Sequence, residues 1–176
     1  MDHALIGGPE KVPISLVDYD PSWPALFEKH AERLREALGD VALRIEHIGS
    51  TSVPGLAAKP IIDVVVVVQD SSDEASYLPA LIAAGYELRV REPGFHEHRM
   101  LRTPARDTHV HLYSRDCPEV GRCLLFRDRL RSDAADRELY ALTKRELSTR
   151  DWPSMDAYAT AKTGVVEAIL GRAIRE

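Results

Sequence analysis

"RIEHIGSTSVPGLAAKPIIDVVVVV", residues 44–68, decides how this chain is read. It passes from a strand-like segment through small residues and proline into a nearly continuous run of Ile and Val. Such a run fits a central strand buried on both faces. One carboxylate, Asp63, stands near its head. Left unpaired there it would cost on the order of several kcal/mol, so it calls for a metal, a cation or exposure at the strand end. Lys59 is near enough in sequence to be that cation. Ahead of the run, Gly49-Ser50-Thr51-Ser52 leaves the preceding strand and Pro60 closes the loop. A glycine lets backbone approach a ligand, and successive N–H and hydroxyl groups can hold a phosphate. The same tetrapeptide also reads as a plain turn of small polar residues.

Working outward, 14–19 reads as a short strand, with Ser22 as N-cap and Pro24 in the first turn of a helix that Gly39 ends. Residues 43–48 and 61–68 form the strands either side of the loop. A helix over 73–84 stops at Gly85, and strands follow at 86–91, 96–102 and 108–113. After Pro118 the pattern turns helical over about 119–131, 133–148 and 154–174, with Asp133 and Ser154 as capping residues. The first 13 residues, rich in Gly and Pro, are expected to form a loosely ordered arm. Residues 14–176 then make a single domain, a mixed sheet to about 115 followed by a helical part over 118–176. The fold class is α+β (mixed α/β).

At 176 residues, 44% hydrophobic and 29% charged, the chain has the balance of a globular protein with a sizeable core. A net charge of −5 argues against bulk affinity for nucleic acid. No apolar run is long enough for a membrane span, and the start of the chain lacks signal-peptide character. Cys117 and Cys123 fit reduced thiols, which points to the cytoplasm.

His109-Val110-His111 on a strand puts two imidazoles on one face, a pattern that fits a metal or phosphate site and equally a surface pair. His96 and His98 repeat the spacing beside a turn. In the helical part, Arg127, Arg129, Arg131, Lys144 and Lys162 fit solvated faces, or a means of offsetting phosphate charge where they face a cleft.

With "EHIGSTSVPGLAAKPIIDV", and less specifically "THVHLY", "LLFRDRLR", "ELYALTKRELS" and "DAYATAKTGVVEAIL", the chain resembles the GrpB (UPF0157) family from about Ile14 to Ile174. These small bacterial proteins are similar to distant members of the nucleotidyltransferase superfamily. The resemblance implies a nucleotidyltransferase-like mixed sheet with packed helices and a C-terminal helical extension. It implies nucleotide phosphate held at Gly49, Ser50, Thr51 and Ser52, with Lys59, Lys144 and Lys162 offsetting charge. Asp63 would bind Mg²⁺ or Mn²⁺, and a nucleoside monophosphate would pass from an NTP to a small-molecule acceptor. The superfamily pattern expects a second carboxylate two residues on, where this chain has Val65. Glu46, His109 or His111 are the candidates to fill that gap as metal ligands, with His111 also a candidate base. Histidine suits Mn²⁺ or Zn²⁺ better than Mg²⁺. The alternative is a nucleotide- or phosphometabolite-binding module without turnover, linked to coenzyme A metabolism through family members fused to dephospho-CoA kinases.

Overall fold

The computed structural model describes residues 4–176. Six strands form one mixed sheet: β1 (Ala4–Leu5), β2 (Arg44–Ile48), β3 (Ile62–Val68), β4 (Glu87–Glu92), β5 (His98–Arg102) and β6 (Thr108–Ser114). Their order across the sheet is β1-β4-β5-β6-β3-β2. The β3–β6 pair is parallel, with Asp63 beside His109 and Val65 beside His111. Every other pairing is antiparallel.

The Ile/Val run behaves as a buried strand must. Val64, Val66 and Val68 enter the core under α1 (Trp23–Leu38) and α2 (Leu78–Ala83), with Leu34, Leu38, Leu81, Val110 and Leu112. Val65 and Val67 point the other way, into a second cluster with Ile48, Tyr113 and two residues of α3 (Pro118–Ser132), Val120 and Leu124. Period-2 alternation places successive side chains on opposite faces, so a strand covered twice needs apolar residues at both parities. Each fully buried valine contributes about 1.5–3 kcal/mol.

The helical part continues with α4 (Ala134–Ser148), α5 (Met155–Ala161) and α6 (Thr163–Arg175). Asp133 caps α4 by accepting from the Asp136 N–H at 2.8 Å, and Ser154 caps α5 through the Ala157 N–H at 3.1 Å. Buried Asp136 ties three helices together, accepting from Arg129 Nε at 2.7 Å and Arg172 Nε at 2.9 Å. A third apolar cluster seats this bundle on the loop after β2: Val53 and Leu56 meet Leu130, Tyr140 and Ile169.

Three local expectations change. Residues 14–19 form no strand; Val17 alone makes an antiparallel bridge, to Ala58. The segment 73–84 divides into a 3-10 turn, Glu74–Ser76, and the short α2, which Pro79 opens. The last helical stretch breaks at Lys162 into α5 and α6. At the chain start, Ala4 and Leu5 pair with Arg91 and Val90 of β4, and Arg89 donates to the Ile6 and Gly8 carbonyls.

Candidate functional site

Asp63 sits on the sheet face that α3 only partly covers, and the β2–β3 loop folds back against it. Gly49 has φ +74°, and a Cβ there would lie 2.8 Å from Asp63 Oδ2. Only glycine permits both that backbone conformation and that approach. The loop is therefore a turn built around the carboxylate. From Gly49 it enters a 3-10 turn, Ser50–Ser52, whose hydroxyls divide by role. Ser50 Oγ accepts from Lys144 Nζ at 2.9 Å, on the cavity side. The Thr51 hydroxyl bonds inward, to the Ile61 carbonyl at 3.2 Å and His47 Nε2 at 3.0 Å. Ser52 donates to the Gly49 carbonyl at 2.5 Å and lies outside the cavity lining.

A cavity of about 190 Å³ opens on this loop, lined also by Asp63, His109 and the three lysines Lys59, Lys144 and Lys162. Lys144 lies over the Tyr140 ring, and Lys59 and Lys162 over Tyr158, at 5.1, 5.2 and 4.6 Å from the centroids. Burial, with repulsion from the other two ammonium groups, pushes Lys144 down to about 7. Burial and Lys162 push Lys59 down to about 8, and burial lowers Lys162 as well. Three converging, partly desolvated cations make a receptor for a multiply charged anion. Tyr158 also belongs to this lining, and among the described residues its Oη is one of two buried side-chain polar atoms without a hydrogen-bond partner.

Asp63, His109 and His111 each offer a ligand atom, all within 4.8 Å of one another. His111 Nε2 lies 3.1 Å from Asp63 Oδ1 and His109 Nδ1 3.6 Å from it. Burial pushes the Asp63 carboxyl up, but the His111 hydrogen bond and the nearby His109 and Lys59 outweigh it, leaving it below the usual range. Burial drives His109 down to about 4, so its imidazole is neutral near pH 7. Glu46 stands apart from this group, held by Arg127 Nη1 at 2.8 Å and Arg44 Nε at 3.1 Å. Val65 is wholly buried beneath α3, so the position two residues after Asp63 belongs to the core.

Behind His111 runs a chain that the sequence alone did not expose. His111 Nδ1 lies 3.0 Å from His98 Nε2, and His98 Nδ1 bonds Glu92. Carboxylates only accept, so the hydrogen bonds at both ends need an N–H, and the middle one needs a third. Two neutral imidazoles carry only two. One protonated imidazole would supply the third hydrogen, and a divalent ion taking the lone pair of His111 Nε2 would remove the need for it: His111 would then donate to His98, and His98 to Glu92. The residues therefore fit a divalent metal, and two imidazoles with one carboxylate favour Mn²⁺ or Zn²⁺ over Mg²⁺.

Of the arginines, Arg127 also binds the His47 carbonyl and Arg131 the Ser52 carbonyl, at 3.0 and 2.9 Å, fastening α3 to β2 and its loop. Arg129 serves Asp136.

The GrpB protein family description matches residues 13–172. This chain belongs to the GrpB family. A UPF0157 protein of Streptomyces coelicolor is 55% identical over 169 residues, covering 96% of this chain and 89% of that protein. The crystal structure of the GrpB protein from Enterococcus faecalis superposes with TM-score 0.81 at 36% identity, over 92% of this chain and 98% of that one. A dephospho-CoA kinase of Mycolicibacterium paratuberculosis is 31% identical over 86% of this chain and 44% of the kinase. The Cid1 poly(U) polymerase, in a structure with Mg 3'-dATP bound, gives TM-score 0.56 at 14% identity over 83% of this chain and 49% of that one, a likeness of fold. The GrpB fold is thus established, and the polymerase shares part of it. No helix of the described residues is long and apolar enough to cross a membrane.

Proposed function

We propose that this GrpB protein transfers a nucleoside monophosphate from an NTP to a small-molecule hydroxyl. The observation that carries this reading is the meeting of three lysines, the Gly49-Ser50 turn and Asp63 with His109 in one cavity. Lys59, Lys144 and Lys162 would offset triphosphate charge, with Ser50 and the turn backbone orienting the phosphates. Asp63, His109 and His111 would hold a divalent ion, which when bound neutralises charge developing on the phosphates. The acceptor oxygen forms a bond to the α-phosphorus as the α–β bridging P–O bond breaks, pyrophosphate leaves, and the hydroxyl proton passes to water. A loose phosphoryl transition state asks mainly for positioning and charge offset, which this cavity supplies. Incubation with each α-labelled NTP, Mn²⁺ or Mg²⁺ and a metabolite pool should give labelled product that Asp63→Ala abolishes; an unlabelled pool with all four NTPs removes the transferase reading.

A second reading rests on Val65. With a core valine in place of the second carboxylate, the same cavity would bind a nucleotide or phosphometabolite without turnover, the dephospho-CoA kinase relative suggesting a coenzyme A precursor. Calorimetric binding of ATP or dephospho-CoA without product formation favours it.

A further inference from the structure

A second cavity, of about 200 Å³, opens on the same sheet face on the far side of His109. Ile61 and His109 line both cavities, so one imidazole and one isoleucine form the wall between them. The registers place the two floors in adjoining columns: Asp63 pairs with His109, His109 with Arg102, His111 with Met100, and Met100 with Val90. The chemistry of the two floors differs. Three lysines dominate the first, whereas the second has Val90, Met100 and Leu5 beneath it and Val12 and Met155 at its rim. An apolar cavity of about 150 Å³ already accommodates benzene, so this one has room for a small ring or a short branched chain.

Its polar groups are unevenly matched. Glu10 alone accepts from Arg102, at 3.0 and 3.1 Å, and pairs with Arg106 at 3.2 Å. Arg89 is engaged by the Ile6 and Gly8 carbonyls and lies 4.0 Å from Glu10, and Asp156 is the one other carboxylate in the lining among the described residues. Three guanidiniums thus face two carboxylates. Arg102 Nε is the other buried side-chain polar atom without a partner among the described residues. Buried polar groups are rarely left so, and here each cavity has in its lining a residue that carries one.

We infer that this second cavity is an acceptor subsite, taking a small molecule with an apolar body, a carboxylate held by Arg102 and Arg106, and a hydroxyl at the His109 end. Two substrates on either side of one wall suit a two-substrate transfer: the hydroxyl would lie beside Asp63 while the phosphates occupy the lysine cavity. The word acceptor rests on the transferase reading; the binding itself does not.

The test uses 4-hydroxybenzoate as probe and phenol as its uncharged control, by ligand-observed NMR and calorimetry on the full chain without nucleotide. The acid should bind at least about tenfold more tightly than phenol, and Arg106→Ala should erase that advantage. Met100→Trp, which fills the floor, and Val12→Trp at the exposed rim should both block it; the second variant guards against a folding defect in the first. Equal binding of acid and phenol, or unchanged binding in both tryptophan variants, overturns the inference. Turnover of an NTP that persists at the native rate in the tryptophan variants also overturns it while leaving the transferase reading intact. Probe binding without any NTP turnover keeps the site and removes only its role as acceptor.

Discussion

His98 Nε2 lies 3.0 Å from His111 Nδ1, and the His98 ring stacks on Tyr113 with centroids 4.7 Å apart. The first contact orients a candidate ligand and the second is packing, so they can be separated. His98→Phe keeps a stacked ring and loses the acceptor; affinity for Mn²⁺ or Zn²⁺ should fall about 10–100-fold, as when the outer partner of a ligating histidine is removed. His98→Gln, which can still accept from His111, should retain most of the affinity. Calorimetric titration with the metals decides it, and equal affinity in native and Phe proteins would show that His111 needs no such support.

Gly49 and Gly55 both have positive φ, +74° and +80°, but only Gly49 is crowded. Alanine at Gly55 meets nothing within 4 Å and should cost only the left-handed backbone penalty, about 1–2 kcal/mol. Gly49→Ala carries the same penalty and also pushes against Asp63, so it should cost more and weaken metal binding. Urea denaturation of the two variants side by side provides the comparison; equal losses would separate Asp63 from the turn.

The lysine cavity predicts a proton linkage. Burial and the neighbouring ammonium groups hold Lys144 down to about 7 and Lys59 down to about 8, so at pH 8 both are partly deprotonated. A triphosphate stabilises their charged forms and raises both values, so binding at pH 8 should take up protons. At pH 6 both are already charged and these groups contribute no uptake. Calorimetry of ATP binding in buffers of different ionisation enthalpy measures the difference. Proton release at pH 8, or no change between the two pH values, would remove these lysines from the phosphate site.

Asp136 is buried and shared by Arg129 and Arg172. The hydrogen bond from Arg172, with that from Arg129, outweighs burial and holds its carboxyl below the usual range. Its stabilising effect is therefore complete above the unfolded value near pH 4 and is lost as pH falls through the folded one. Asp136→Ala leaves two guanidiniums without it and should cost roughly 3–5 kcal/mol. A melting temperature within a degree or two of native would contradict that role.

The sheet was readable because β3 is covered on both faces and so is written in Ile and Val, and the capping residues Asp133 and Ser154 marked their helix starts directly. Asp63, Gly49, Ser50, His109 and the three lysines converge on one cavity. The division at Lys162 was hidden because the apolar pattern of α5 runs on into α6, and Gly164 lies inside α6 rather than between the two helices. His98 and Glu92 were harder still. Their part depends on β5 pairing antiparallel with both β4 and β6 in particular registers, and sequence alternation gives a face without giving a register. Glu46 offered the right chemistry on the right strand, but Arg44 and Arg127 had already claimed it.

The parallel seam between β3 and β6 has a thermodynamic corollary. Its two strands are joined through α2, β4 and β5, so Asp63 and the two histidines meet only after that intervening chain has found its place. An ion spanning the seam would bind the native state and not the unfolded chain, acting as a removable cross-link across the slowest-forming kind of strand pair. The melting temperature would then rise with the free concentration of the metal, by an amount set by its dissociation constant, giving a measure of the centre that needs no knowledge of the substrate.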